Sequence, residues 1–223
     1  MGETILSKAL KNLKRGFLIL SISSLMGLIL SLTTRNTFTA ETLKLTSPNI
    51  LLTMITLIVI GLVLFILGLV SWILRIVGWG GLCNVKIKKF YCYTRLALII
   101  FPIIGITISM IGGILIAFES MSAAQQGVIP QVKPSFSAIV TLGSLLFLVG
   151  FILEGVSLYD FSLVKQDEAL KYASILYILS ILSSAITTIL TAIIGHVSYV
   201  IGVFNNMLQL VSGAALYYTL GKT

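Results

Sequence analysis

From Leu51 to Leu74 the chain runs 24 residues without a charge, and at its heart lies Val59-Ile60-Gly61-Leu62-Val63-Leu64-Phe65-Ile66-Leu67-Gly68-Leu69-Val70-Ser71. About 20 such residues, rising about 1.5 Å each, cross the hydrocarbon core of a bilayer as one helix. The stretch has echoes. Moved by 82 positions, Gly61, Leu64, Phe65 and Gly68 become Gly143, Leu146, Phe147 and Gly150. Moved by 141, Val59-Ile60-Gly61 becomes Val200-Ile201-Gly202, and Leu67, Leu69, Val70 and Ser71 become Leu208, Leu210, Val211 and Ser212. The chain therefore reads as a triplicated two-helix unit.

The remaining apolar runs complete the pattern. Spans are expected at about 16–32, 50–74, 96–118, 136–159, 172–194 and 199–220, one transmembrane domain over residues 1–223. Only 10% of residues are charged, against about 25% in a soluble domain. The runs are continuous, not alternating with period two, which excludes a β-barrel reading. The fold class is all-α: a polytopic bundle of six spans in three hairpins. The run Gly16 to Leu32 is longer than a signal-peptide core and no A-x-A-like site follows it, so it reads as a retained first span. Before it, Ile5, Leu6, Ala9, Leu10 and Leu13 form one apolar stripe with Lys8, Lys11 and Lys14 between them, as an interfacial helix or as the first turns of span one.

Net charge is +8. The basic residues flank apolar runs, so the charge reads as positive-inside bias and not as a nucleic-acid surface. With the N-terminus inside, twelve Lys and Arg fall inside and three, Arg35, Lys44 and Lys133, outside. Both termini are expected on the cytoplasmic side of the plasma membrane. Cys83 and Cys92 flank the basic segment on that side, where thiols stay free. Trp72 and Trp79 fit an interfacial belt, and Gly78, Gly80 and Gly81 a loop.

Glu154 is the residue most costly to place. It lies about five residues from the inner end of span four, roughly 8 Å into the apolar zone. Three readings stand: a structural ion pair with Arg15, Arg75, Arg95 or Lys171, a protonated acid, or a group on an ion pathway. Asn205 and Gln209, four apart on span six, share a face and read first as bonds between helices. Ser180, Ser184, Thr187 and Thr191 on span five are read likewise. Gly105, Ser109 and Gly113 form a small-residue ridge, and with Gly61, Gly68, Gly143 and Gly150 they are expected to pack helices closely. Pro102 removes a backbone donor from span three, which is tolerated where a neighbour satisfies the freed carbonyl.

No phosphate-cradling loop, HExxH or GxSxG is present, and His196 is the one histidine. No catalytic, cofactor or metal residues are assigned, and no enzyme is expected. The Gly-rich even spans, the short basic loop Lys86 to Arg95 and the Ile/Leu-dominated composition resemble an uncharacterised family of crenarchaeal multi-spanning membrane proteins, a resemblance that implies no activity. The hairpin arrangement is similar to that of mitochondrial carriers, but their Pro-x-Asp/Glu-x-x-Lys/Arg motif is missing from the odd spans. Two functions remain. One is a non-catalytic subunit that packs against other integral membrane proteins or itself. The other is a small transporter or channel using Glu154 and the span-six amides. They part on whether the polar groups converge on one cavity.

Overall fold

A computed structural model describes residues 2–37, 48–85, 87–125, 134–194 and 199–222. Among these described residues are six helices: α1 Gly2–Thr37, α2 Pro48–Asn84, α3 Phe90–Gln125, α4 Pro134–Lys165, α5 Glu168–Ile194 and α6 Tyr199–Thr219. All six are long and apolar enough to cross a membrane, so this is a multi-pass membrane protein with a lipid bilayer as its surroundings. Lys44, Lys86, Lys133 and His196 lie outside the described residues.

Each helix packs on its chain neighbours and α6 returns to α1, closing a ring. One end of the ring, here called the base, carries the start of α1, the α2–α3 and α4–α5 turns and the end of α6. The fully buried apolar residues gather there. Leu13 and Phe17 of α1, Trp79 and Leu82 of α2, Tyr91 and Leu98 of α3, Leu158 and Phe161 of α4, Leu170 of α5 and Leu216 of α6 are all sealed from solvent. The stripe at Ala9, Leu10 and Leu13 is thus part of this core. It belongs to the first turns of a continuous α1, which its lysine-flanked, 3.6-residue spacing allows.

The helices reach further at the base than hydropathy indicates. The stretch after Leu74 is helix to Asn84, not loop. Its glycines serve close approach. A β-carbon on Gly78 would stand 2.6 Å from Leu13 Cγ, and one on Gly81 2.6 Å from the Ala9 β-carbon. Nor do the tryptophans form a belt: Trp79 is in the core, and Trp72 turns to α3. Charge and glycine suggested a surface here because the helices project beyond the apolar run.

The α4–α5 connection is tighter than a twelve-residue polar segment. Gln166, at φ 55°, ends α4. Its N–H reaches Leu163 O and the Asp167 N–H reaches Ser162 O, the paired bonds that close a helix through a left-handed residue. The Asp167 carboxylate then caps α5 by accepting from Leu170 N–H at 3.0 Å.

Cys83 and Cys92 are joined in a disulfide, with Cα atoms 4.8 Å apart. The expectation of free thiols rested on compartment alone. The fold meets the geometric condition for the bridge, because the antiparallel ends of α2 and α3 bring the two side chains face to face across the turn. Alkylation of the unfolded protein is expected to modify neither cysteine until a reductant is added. Modification without reductant would show that the bridge is absent.

The small-residue ridges divide. A β-carbon on Gly105 would stand 2.5 Å from Gly143 O and 2.6 Å from Phe147 N. One on Gly143 would meet Gly105 O and Ser109 N, each at 2.6 Å, as well as Ser109 Oγ. These residues lock α3 onto α4. A β-carbon on Gly150 would stand 3.1 Å from Ala97 O and 3.2 Å from Pro102 Cδ. Gly113 is not in the seam; Gly112 is, with Val140 Cγ2 2.7 Å from a β-carbon there. The helical period explains the correction, since i+7 returns to the face of i and i+8 overshoots it. Gly61 and Gly68 also depart from expectation: a β-carbon at either meets nothing within 4 Å. The proposed equivalents Gly61 and Gly143, and Gly68 and Gly150, therefore have unlike surroundings, and packing lends the triplication no support.

Candidate functional site

Glu154 sits within α4, eleven residues before its end, with 0% exposure. It faces the ring interior, where a carboxylate needs partners to offset the loss of water. Of the four basic candidates, Arg75 alone meets it: Arg75 Nη1 donates to Glu154 Oε2 at 2.7 Å. Arg15 and Arg95 are exposed and Lys171 half-buried, outside this cluster. Tyr177 of α5 donates its hydroxyl proton to Oε2 at 2.8 Å and accepts from Arg75 Nη1 at 2.7 Å. Trp79 Nε1–H donates to the other carboxylate oxygen, Oε1, at 3.0 Å. Both carboxylate oxygens are thereby satisfied, by three donors from two helices, α2 and α5.

Packing fixes the arginine. A β-carbon on Gly16 would stand 2.6 Å from Arg75 Cγ, so the bare α1 backbone makes room for its stem. The guanidinium carbon lies 4.8 Å from the Phe151 ring centroid and 5.5 Å from that of Phe17, placements that let aromatic faces stabilise a cation. Phe17 meets Tyr177 edge-on at 5.4 Å. One atom is left over: Arg75 Nε–H is buried and makes no hydrogen bond.

This cluster forms the floor of a hollow. Above it, away from the base, a cavity of about 330 Å³ is lined from all six helices, including Leu20, Gly68, Trp72, Arg75, Ile106, Phe147, Phe151, Tyr177, Ser180, Ser184 and Gln209. A second space of about 410 Å³ shares Ile106, Phe147, Leu148 and Ser184 with the first and adds hydroxyls at Ser109, Ser144 and Thr188. The amides of α6 hold one wall. Asn205 Oδ1 accepts from Ser184 Oγ at 3.0 Å, and Gln209 Nε2 donates to the same hydroxyl at 3.1 Å. Ser24 of α1 reaches Gln209 Oε1 at 3.5 Å. Asn205 and Gln209 therefore tie α5 to α6, while Gln209 also faces the cavity. The sequence face Ser180–Ser184 continues inward through Ile181 and Thr188, and not through Thr191, which is exposed.

Contacts between α2 and α3 gather near the base: the disulfide, Gly80 against Arg95, Trp79 against Tyr91, and Trp72 against Leu98. Farther along, Gly61 and Phe65 of α2 and Gly113 of α3 are exposed, and Phe65 and Gly68 border the cavity. The two helices part there, beside the hollow.

Trp72 carries a signal that sequence reasoning missed. Its Nε1–H donates to Leu98 O at 2.7 Å. Leu98 is four residues before Pro102, which has no N–H to offer that carbonyl. The freed acceptor was legible at Pro102; its donor, on the neighbouring helix α2, was not. Trp72→Phe is expected to destabilise by about 1–3 kcal/mol, the cost of an unsatisfied buried carbonyl. Most of that loss should vanish in a Pro102→Ala background, where the helix regains its own donor. Equal losses in both backgrounds in a double-mutant cycle would detach the tryptophan from the proline.

Comparison of the chain with protein-family models, curated proteins and solved structures finds no match.

Proposed function

We propose that this is a non-catalytic multi-pass protein of the plasma membrane, of the transporter class, that takes up a small lipophilic molecule in the hollow of its helix ring. One observation carries the reading: polar groups from separate helices, Arg75, Tyr177, Ser180, Ser184 and Gln209, converge on one largely apolar cavity. Its volume suits a small organic ligand. The parting of α2 and α3 offers an approach from the hydrocarbon. Glu154 acts as the structural anchor of the floor and not as an ion relay, since both its oxygens are engaged. The basic residues at the base favour placing that end, and both termini, in the cytoplasm. The hollow then closes toward the cytoplasm and faces the outer half of the bilayer.

2-Methylnaphthalene, a small neutral probe, is expected to bind the purified protein saturably, one per chain, as read by native mass spectrometry from non-ionic detergent. Gly68→Phe places a ring where a β-carbon meets nothing, so it should abolish binding and leave thermal unfolding unchanged. Unsaturable uptake, the same in both proteins, would overturn the reading. A second reading, a subunit that packs against other integral membrane proteins, has its own support in the open face at Gly61 and Gly68, seven residues and two turns apart. Purification with a partner at fixed stoichiometry, lost on Gly61→Leu, would favour it.

A further inference from the structure

The chemistry of the cavity's donors and acceptors narrows what can sit in it. This step rests on the cavity-binding reading above. Arg75 and Glu154 are paired at 2.7 Å, so the floor carries no net charge to offer a ligand. An anionic head would compete with Glu154 for the same guanidinium in a water-poor site, where two like charges close together are costly. A cationic head would meet Arg75 itself. Charge thus selects against both signs.

Hydrogen-bonding capacity selects further. The Tyr177 proton is spent on Glu154, and the Ser180 proton on Tyr177 O at 2.7 Å. Ser184 spends its own on Ser180 O or Asn205 Oδ1, each at 3.0 Å. Donor capacity remains at Arg75 Nε–H, buried and unbonded, and at the second N–H of the Gln209 amide, whose first goes to Ser184, while the Ser180 hydroxyl oxygen keeps acceptor lone pairs. A buried donor without a partner is costly, and a ligand acceptor supplies one. The walls between these donors are aromatic, with Phe65, Trp72, Phe147 and Phe151 all lining the cavity. Rings favour the faces and edges of other flat rings.

We infer that the hollow is a binding site for neutral, lipid-soluble carbonyl compounds with a flat ring, the chemistry of a quinone. The ring lies among the four aromatic side chains. One carbonyl accepts from Arg75 and the opposite side of the ring lies toward Gln209. Any apolar tail leaves between α2 and α3.

Three probes of one ring size test this: menadione, neutral with two carbonyl acceptors; 2-methylnaphthalene, neutral with none; and 2-naphthoate, anionic. Binding to the purified full chain is measured by native mass spectrometry and by saturable quenching of tryptophan fluorescence. Menadione should bind about tenfold or more tighter than 2-methylnaphthalene, the worth of a hydrogen bond from a charged donor. 2-Naphthoate should bind no better than 2-methylnaphthalene. In the paired variant Arg75→Met with Glu154→Met, which leaves no buried charge behind, 2-methylnaphthalene should still bind and the preference for menadione should collapse. Equal affinity for the two neutral probes overturns the acceptor assignment, as does a preference that survives in the paired variant. Tightest binding by 2-naphthoate overturns the neutral-ligand assignment. Failure of all three to bind removes the cavity-binding reading itself, a different outcome from failure of selectivity.

Discussion

Glu154→Met is expected to cost about 3–5 kcal/mol, the loss that follows when one partner of a buried ion pair is removed and the other stays behind uncompensated. Arg75 would then lie buried between Phe17 and Phe151 with no counter-charge. Trp79 and Tyr177 would each lose the carboxylate oxygen to which they donate. Adding Arg75→Met should recover most of the loss, because well-packed apolar residues often replace a buried pair at little or no cost. Glu154→Gln should fall between, since its amide keeps one acceptor oxygen and loses the charge. Thermal or denaturant unfolding in detergent checks all three. If Glu154→Met matched the wild-type protein while Arg75→Met did not, the pair would not be the element that holds the floor.

The second large effect is expected at the α3–α4 seam. Gly143→Leu puts a side chain where a β-carbon alone already stands 2.6 Å from two backbone atoms of α3. Backbone cannot rotate aside as a side-chain tip can, so the helices must separate along the seam. The cost is expected at about 3 kcal/mol or more, at or beyond the upper end for overpacked cores. Gly105→Leu should behave alike. Gly68→Leu, on the matching position of the echo, should be nearly silent, because space surrounds it. Expression and unfolding of the three variants side by side is the measurement. A Gly68→Leu variant as damaged as Gly143→Leu would mean that another protein or copy covers α2.

Why some of this was legible and some was not follows from the range of each interaction. Six spans could be read because crossing a bilayer is a property of one segment: the run at Leu51 to Leu74 meets the length requirement without reference to any other helix. That Glu154 would face inward followed from the same local argument about a carboxyl group in hydrocarbon. The choice of Arg75 over Arg15, Arg95 and Lys171 did not, because it depends on which helix faces α4 across the ring interior at that height. Glycine is the clearest case. Gly68 and Gly150 have similar sequence neighbours, yet one borders open space and the other holds Pro102 and Ala97 close. A residue without a side chain reports nothing about its partner until the partner is placed. The disulfide was missed for a related reason: nine positions separate Cys83 from Cys92, and only the antiparallel return of α3 makes them neighbours.

The position of that disulfide has a mechanical consequence. α2 and α3 are pinned to one another at the base and stand apart higher up. Such a pair behaves as tongs: its tips move far when its pivot turns little. Over about 45 Å of helix, a swing of roughly 5° at the pivot shifts the far end by about 4 Å, close to the thickness of a flat aromatic ring with its van der Waals contacts. Admission of a guest would then need no unfolding and no broken hydrogen bond in either helix. Between the two helices the Trp72 to Leu98 bond is the contact nearest the hollow, so it resists their parting together with the seams that hold α2 to α1 and α3 to α4.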